Sequence, residues 1–204
     1  MKLLDFNLAP NPKKARVYLR EKGLTIPIEP VDVLAGQNRT PEFLARVNPL
    51  GGLPVLELDD GTHLTESLAI IEYLEELHPE PPMLGTTPLE RARVREIERI
   101  CDLGVLLTVG TVFQNTSPFF AGRIKQSADA AETARSRLAT ATTVVDRTIG
   151  SKPFVAGARP TIADCTLFAA CEFAAFAGAA IDYAKLPNLA RWYEGFKQRP
   201  SAQA

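Results

Sequence analysis

Residues 48–74 read NPLGGLPVLELDDGTHLTESLAIIEYL, and the fold is decided by the changes of pattern inside this one stretch. Asn48-Pro49 ends whatever helix precedes it, because the residue before a proline is pushed out of the helical region. Leu53 to Leu58 and His63-Leu64 flank Asp59-Asp60-Gly61, where a glycine lets a hairpin turn take a positive φ. From Glu66 to Leu77 the apolar spacing becomes helical, with Leu68, Ile70, Ile71 and Leu74 on the side to be buried. The stretch predicts two antiparallel strands and then a helix.

Towards the N-terminus the same alternation continues. Lys2 to Phe6 reads as a strand, and Asn11-Pro12 opens a helix: Asn caps free amides, and Pro at the first helical position loses no hydrogen bond. Gly23 suits the left-handed end of that helix. Ile26 to Val33 is a second strand, placed at a sheet edge by Pro27 and Pro30. Thr40-Pro41-Glu42 starts a short helix that Asn48-Pro49 stops. Residues 1–79 therefore have the order βαβαββα.

Pro79, Pro81, Pro82, Gly85 and Pro88 change the character of the chain, so residues 80–88 are read as a linker and 89–204 as a second, all-helical domain. Thr87 and Glu90 form a capping-box pattern. The helix they open contains Gly104, Gly110 and β-branched residues, a mix that needs close packing or a bend. Ser127 to Ile149 is a second long helix, Thr161 and Asp164 cap a third, rich in Ala and Phe, and Pro187 to Gln198 forms the last. The fold class is α/β plus all-α.

Lys plus Arg total 23 against 24 for Asp plus Glu, and this balance gives no support for a nucleic-acid partner. No apolar run approaches a membrane span, and MKLLDFNLAP does not read as a signal peptide, so a cytoplasmic location is the default. Cys101, Cys165 and Cys171 have no C-x-x-C spacing, and His63 and His78 lie at no metal-ligand spacing. No metal site is expected.

The element order, the proline linker and four stretches together resemble the cytosolic glutathione S-transferase superfamily. The stretches are Asn7 to Gly23, Asn48 to Leu56, Thr65 to Leu74, and Gly157-Ala158-Arg159-Pro160-Thr161-Ile162-Ala163-Asp164. The resemblance implies a thioredoxin-like first domain, a helical bundle behind it, a homodimer, and glutathione as substrate. It implies that Pro54 is cis, that the Leu53 backbone pairs with the cysteinyl part of glutathione, and that Glu66 and Ser67 hold the γ-glutamyl end. The residue types suit that last role: a helix start favours a carboxylate, and Glu66 can meet an ammonium. Gln37 and Asn38 are placed near the glycyl end. Many relatives have lysine where this chain has Gly52, so a neighbouring cation or backbone amide must replace a contact worth roughly 1.5 to 3 kcal/mol.

Relatives activate the thiol with Tyr, Ser or Cys near the first strand-to-helix junction. Asn7-Leu8-Ala9-Pro10-Asn11-Pro12 has none of these, so the chain resembles a bacterial type lacking the usual residue. Asn11 is one candidate, as a donor to the thiolate or as nothing beyond a helix cap. Phe113-Gln114-Asn115-Thr116-Ser117-Pro118-Phe119-Phe120 is similar to a stretch in a fungal and bacterial group thought to use second-domain polar groups and a water. Gln114 and Ser117 match there, and a plain helix break at Ser117-Pro118 is the alternative. Phe113, Phe119 and Phe120 either wall an apolar pocket or belong to the core. The implied function is a glutathione transferase of the detoxification kind, promoting thiolate attack on a small hydrophobic electrophile. The alternative is a non-catalytic glutathione-binding or stress-response protein. Cys101 is read as a small buried hydrophobe, and Asp164 as a structural cap.

Overall fold

A four-stranded sheet organises the first part of the chain. The computed structural model describes residues 1–204, which divide into two units, Met1–Met83 with Gln203–Ala204, and Leu84–Ala202. In the first unit β1 (Lys2–Asp5) runs parallel to β2 (Ile28–Pro30) and antiparallel to β3 (Val55–Glu57), which pairs antiparallel with β4 (His63–Leu64). The expected strand over Ile26 to Val33 is shorter, because Pro27 and Pro30 cannot donate to a ladder; β2 lies at the edge with all three residues exposed.

Helices α1 (Pro10–Lys22), α2 (Pro41–Arg46) and α3 (Ser67–Leu77) complete this unit. Leu3, Val17, Val55, Leu56, Ile70 and Ile71 are fully buried and form its core. The start of α1 differs from expectation. Ala9 occupies the cap position without a side-chain bond and Pro10 takes the first turn, so Asn11 is inside the helix and is not its cap. Gly23 does end α1, at φ 69°. Thr40 caps α2 through the Phe43 amide. On α3, Leu68 is only half-buried, and its place on the inner face is taken by Glu75.

Glu75 is buried because three donors meet it. The Tyr18 hydroxyl lies 3.0 Å from one oxygen, the Lys22 ammonium 2.9 Å from the same oxygen, and the Met83 amide 3.2 Å from the other. Lys22 also donates to the Pro81 carbonyl at 2.7 Å. Tyr18 therefore ties α1 to α3. Arg16 is buried as well, against Asp5 at 2.6 Å. Lys14 is fully buried too.

The second unit is helical: α4 (Pro88–Arg99), a wider π-type segment (Ile100–Leu106), α5 (Leu107–Thr116), α6 (Ala128–Ile149), α7 (Ile162–Phe176) and α8 (Pro187–Lys197). Of the two glycines in this stretch, Gly110 has open space beside it and Gly104 is closely packed. A Cβ at Gly104 would stand 3.2 Å from that of Ala141 on α6. Thr87 caps α4 through the Glu90 amide. The Glu90 carboxylate reaches back to the Thr86 amide and hydroxyl at 2.7 and 2.6 Å, one residue beyond the expected box, and these bonds hold its pKa down to about 2. No helix is long and apolar enough to cross a membrane.

Two buried aspartates fix the helices to one another. Asp146 on α6 accepts from the Asn188 and Leu189 amides at 2.8 and 2.9 Å and so caps α8 from outside. Asp164 closes the capping box with Thr161 and also accepts from the Val155 amide and the Trp192 indole, each at 2.9 Å. Burial raises its pKa, and the four donated bonds oppose the rise. Burial also pushes the Cys101 thiol well above its ordinary value, so it is not a nucleophile.

Candidate functional site

One end of the sheet gathers the segments that the first unit offers to a ligand. Leu4 pairs with Val55, so the exit of β1 towards α1 lies level with Pro54 at the entry to β3. Leu56 pairs with Leu64, and the same antiparallel register brings Glu66 level with Pro54. Because β2 is parallel to β1, its exit towards residues 37–39 is at this end as well. Loops that meet at the ends of rigid strands are where binding residues concentrate.

The Leu53–Pro54 bond is cis; Pro54 is buried and Leu53 half-buried. Glu66 has φ 67° and ψ 116°, a conformation that costs a non-glycine residue about 1 to 3 kcal/mol and persists where the surroundings hold it. It is exposed and enters no ion pair. Ser67 follows at the first position of α3 and is buried. Its hydroxyl donates to the Asn11 side-chain oxygen at 3.4 Å. That bond joins the first turns of α1 and α3, two places where backbone amides lack helical partners and the dipole is positive. With its oxygen turned to Ser67, Asn11 keeps its amide NH2 as a donor in an exposed position.

Residues 37–39 form a short turn tied to the loop before Pro54. The Asn38 amide donates to the Gly51 carbonyl at 2.7 Å and Arg39 to the Leu50 carbonyl at 2.9 Å. Gly51 has φ 62°, and a Cβ there would lie 2.6 Å from the Asn38 carbonyl oxygen and 3.0 Å from Arg39 Nη1, so only glycine fits. Gln37 is exposed, and its side-chain oxygen accepts from the Asp32 amide at 2.8 Å, leaving its NH2 outward. Arg39 was not among the residues singled out in the sequence. Its only sequence signal is its place directly after Gln37-Asn38.

Gln114 and Ser117 belong to the second unit. Both backbone carbonyls accept from Gln126 Nε2, each at 2.9 Å, which pins the loop after α5. The Ser117 hydroxyl oxygen accepts from the Phe119 amide at 3.3 Å and caps a short turn over Pro118–Phe120, while Gln114 is exposed. Phe113, Phe119 and Phe120 are half-buried and join Phe173 and Phe176 of α7 in one aromatic cluster. No three His, Cys, Asp or Glu side chains come together in a way that could hold a metal.

A thioredoxin-like sheet domain with its open loops at one end, followed by a helical bundle, is the class that this geometry defines. Residues 3–82 match the glutathione S-transferase N-terminal domain, and residues 128–195 the C-terminal domain. Glutathione S-transferase 2 of Saccharomyces cerevisiae is 30% identical over 100% of this chain and 88% of its own length. The crystal structure of a glutathione S-transferase domain-containing protein from Marinobacter aquaeolei superposes with a TM-score of 0.91 at 34% identity, covering 98% of this chain and 99% of the other. A glutathione S-transferase from Methylobacterium radiotolerans, solved in complex with glutathione sulfonate, superposes with a TM-score of 0.83 at 30% identity over 98% of this chain and 91% of its own. The chain belongs to the glutathione S-transferase family.

Proposed function

We propose that the chain is a glutathione transferase that uses Asn11, in place of the usual Tyr, Ser or Cys, to stabilise the glutathione thiolate. The hydrogen bond between Asn11 and Ser67 carries this reading, because it places a free amide donor beside the residue expected to anchor the γ-glutamyl carboxylate. Glu66 takes the ammonium, the free backbone amides at the start of α3, that of Ser67 among them, take the carboxylate while the Ser67 hydroxyl stays on Asn11, and the Leu53 backbone pairs with the cysteinyl part. The thiol proton leaves to solvent, and a sulfur lone pair forms the C–S bond to the electrophile. In a substitution, the leaving group departs with its bonding pair. The electrophile is a small hydrophobe. The related transferase solved with glutathione sulfonate supports the ligand class.

At the glycyl end, Arg39 supplies the cation that Gly52 does not, with the Gln37 NH2 as a second donor. Arg39→Ala is expected to raise the KM for glutathione about tenfold with kcat little changed, since it removes one charge-assisted contact to the substrate. Unchanged KM in steady-state kinetics removes Arg39 from the site.

The deciding experiment follows thiolate absorbance of bound glutathione against pH. The wild type is expected to depress the thiol pKa below that of free glutathione, and Asn11→Ala to raise it by about one unit, the size of one moderate hydrogen bond. Gln114 and Ser117 are the competing activators, through a bridging water. A rise in Gln114→Ala or Ser117→Ala with none in Asn11→Ala assigns activation to them. A wild-type thiol titrating like free glutathione supports the non-catalytic binding protein instead.

A further inference from the structure

Five phenylalanines of the second unit form one surface, and a guanidinium sits at its rim with no acid to pair it. Phe113 is the hub, with ring centroids 5.5 Å from Phe120, 5.3 Å from Phe173 and 5.5 Å from Phe176, and Phe119 follows at 5.0 Å from Phe120. Phe176 leaves 63% of its surface exposed and the other four are half-buried, so the cluster is open where a core would be closed. The Arg123 guanidinium carbon lies 4.2 Å from the centre of the Phe119 ring, and Arg123 has no ion-pair partner in the chain. Its backbone is held: the Arg123 amide donates to Phe120 at 3.0 Å, and Gln126 bolts the loop to the end of α5.

A guanidinium over a ring is weakly hydrated and keeps its planar fork of donors for a carboxylate. We propose that this surface recognises an aromatic group bearing a carboxylate, the ring joining the phenylalanine edges and the carboxylate meeting Arg123. Resting on the transferase reading above, it makes the electrophile an aryl carboxylate and Arg123 a specificity-determining residue. A neutral hydrophobe would satisfy the rings and leave the cation unused.

Arg123→Met keeps apolar contact with Phe119 and removes the charge. Calorimetry on the full chain measures binding of two unreactive probes, 4-phenylbenzoate and 4-phenylbenzamide. The wild type is expected to prefer the carboxylate on the order of tenfold, and Arg123→Met to lose that preference while binding the amide as before. Unchanged amide binding also reports an intact fold. Turnover of 4-chloro-3-nitrobenzoate and its amide, each divided by its uncatalysed rate with glutathione, should show the same ratio as the C–S bond forms and chloride leaves with the C–Cl pair. Equal binding of the two probes to the wild type, or a preference retained in Arg123→Met, overturns the proposal. Absence of turnover with the binding preference intact sinks the transferase reading and leaves the aryl carboxylate site standing.

Discussion

Asp164→Ala is expected to lower stability by about 3 to 5 kcal/mol, several times the cost of losing an ordinary helix cap. The reason is the number of donors left behind. Thr161 contributes its amide and hydroxyl at 2.9 and 2.8 Å, Val155 its amide, and Trp192 its indole N–H, all to one fully buried carboxylate. Each buried donor without a partner costs about 1 to 3 kcal/mol, and water entering the gap recovers part of it. Melting should move down by roughly 10 °C, and tryptophan fluorescence should report the change because Trp192 is the only tryptophan. Asp164→Asn should fall between, since its amide presents a donor to a site already filled with donors. A loss below about 1 kcal/mol in Asp164→Ala would show the site to be a simple cap.

Glu75→Gln should be nearly as damaging to the first unit. The substitution keeps the shape but removes the counter-charge 2.9 Å from the buried Lys22 ammonium, and it turns one of the two acceptor oxygens that Tyr18, Lys22 and Met83 share into a donor. Breaking a buried pair from one side costs about 3 to 5 kcal/mol, whereas replacing both partners with apolar residues is often neutral. Chemical denaturation of Glu75→Gln, Lys22→Met and the double variant Lys22→Met/Glu75→Leu separates the two effects. The double variant is expected to recover most of the stability. If it is as unstable as the sum of the singles, the pair is not the source of the loss.

The hairpin at Asp59-Asp60-Gly61, the edge position of β2 and the caps at Thr40, Thr87 and Thr161 were all legible in the sequence. Each depends on residues near each other in the chain, and turn, proline and cap chemistry act over that range. The boundaries were less legible. Asn11-Pro12 looked like a helix start, yet Pro10 serves as well and the helix begins there, which moves Asn11 from a cap to a side chain free to meet Ser67. Glu75 and Lys22 carried the ordinary signature of a solvated face, because partners lying 53 residues apart leave no mark on local periodicity.

The sequence by itself thus determined the order of elements, the family, and the residues expected to hold glutathione, since these follow from local backbone preferences and from motifs at fixed spacing. Only the tertiary structure decided how those residues combine. The strand registers bring Pro54, Glu66 and the start of α1 to one end of the sheet. The loop contacts set Arg39 against Gly51 and the Leu50 carbonyl, beside the Gly52 that carries no cation. The packing of α7 adds Phe173 and Phe176 to the rings that Arg123 borders. A site made from distant segments exists only once burial has fixed their register, and that is information of packing rather than of pattern.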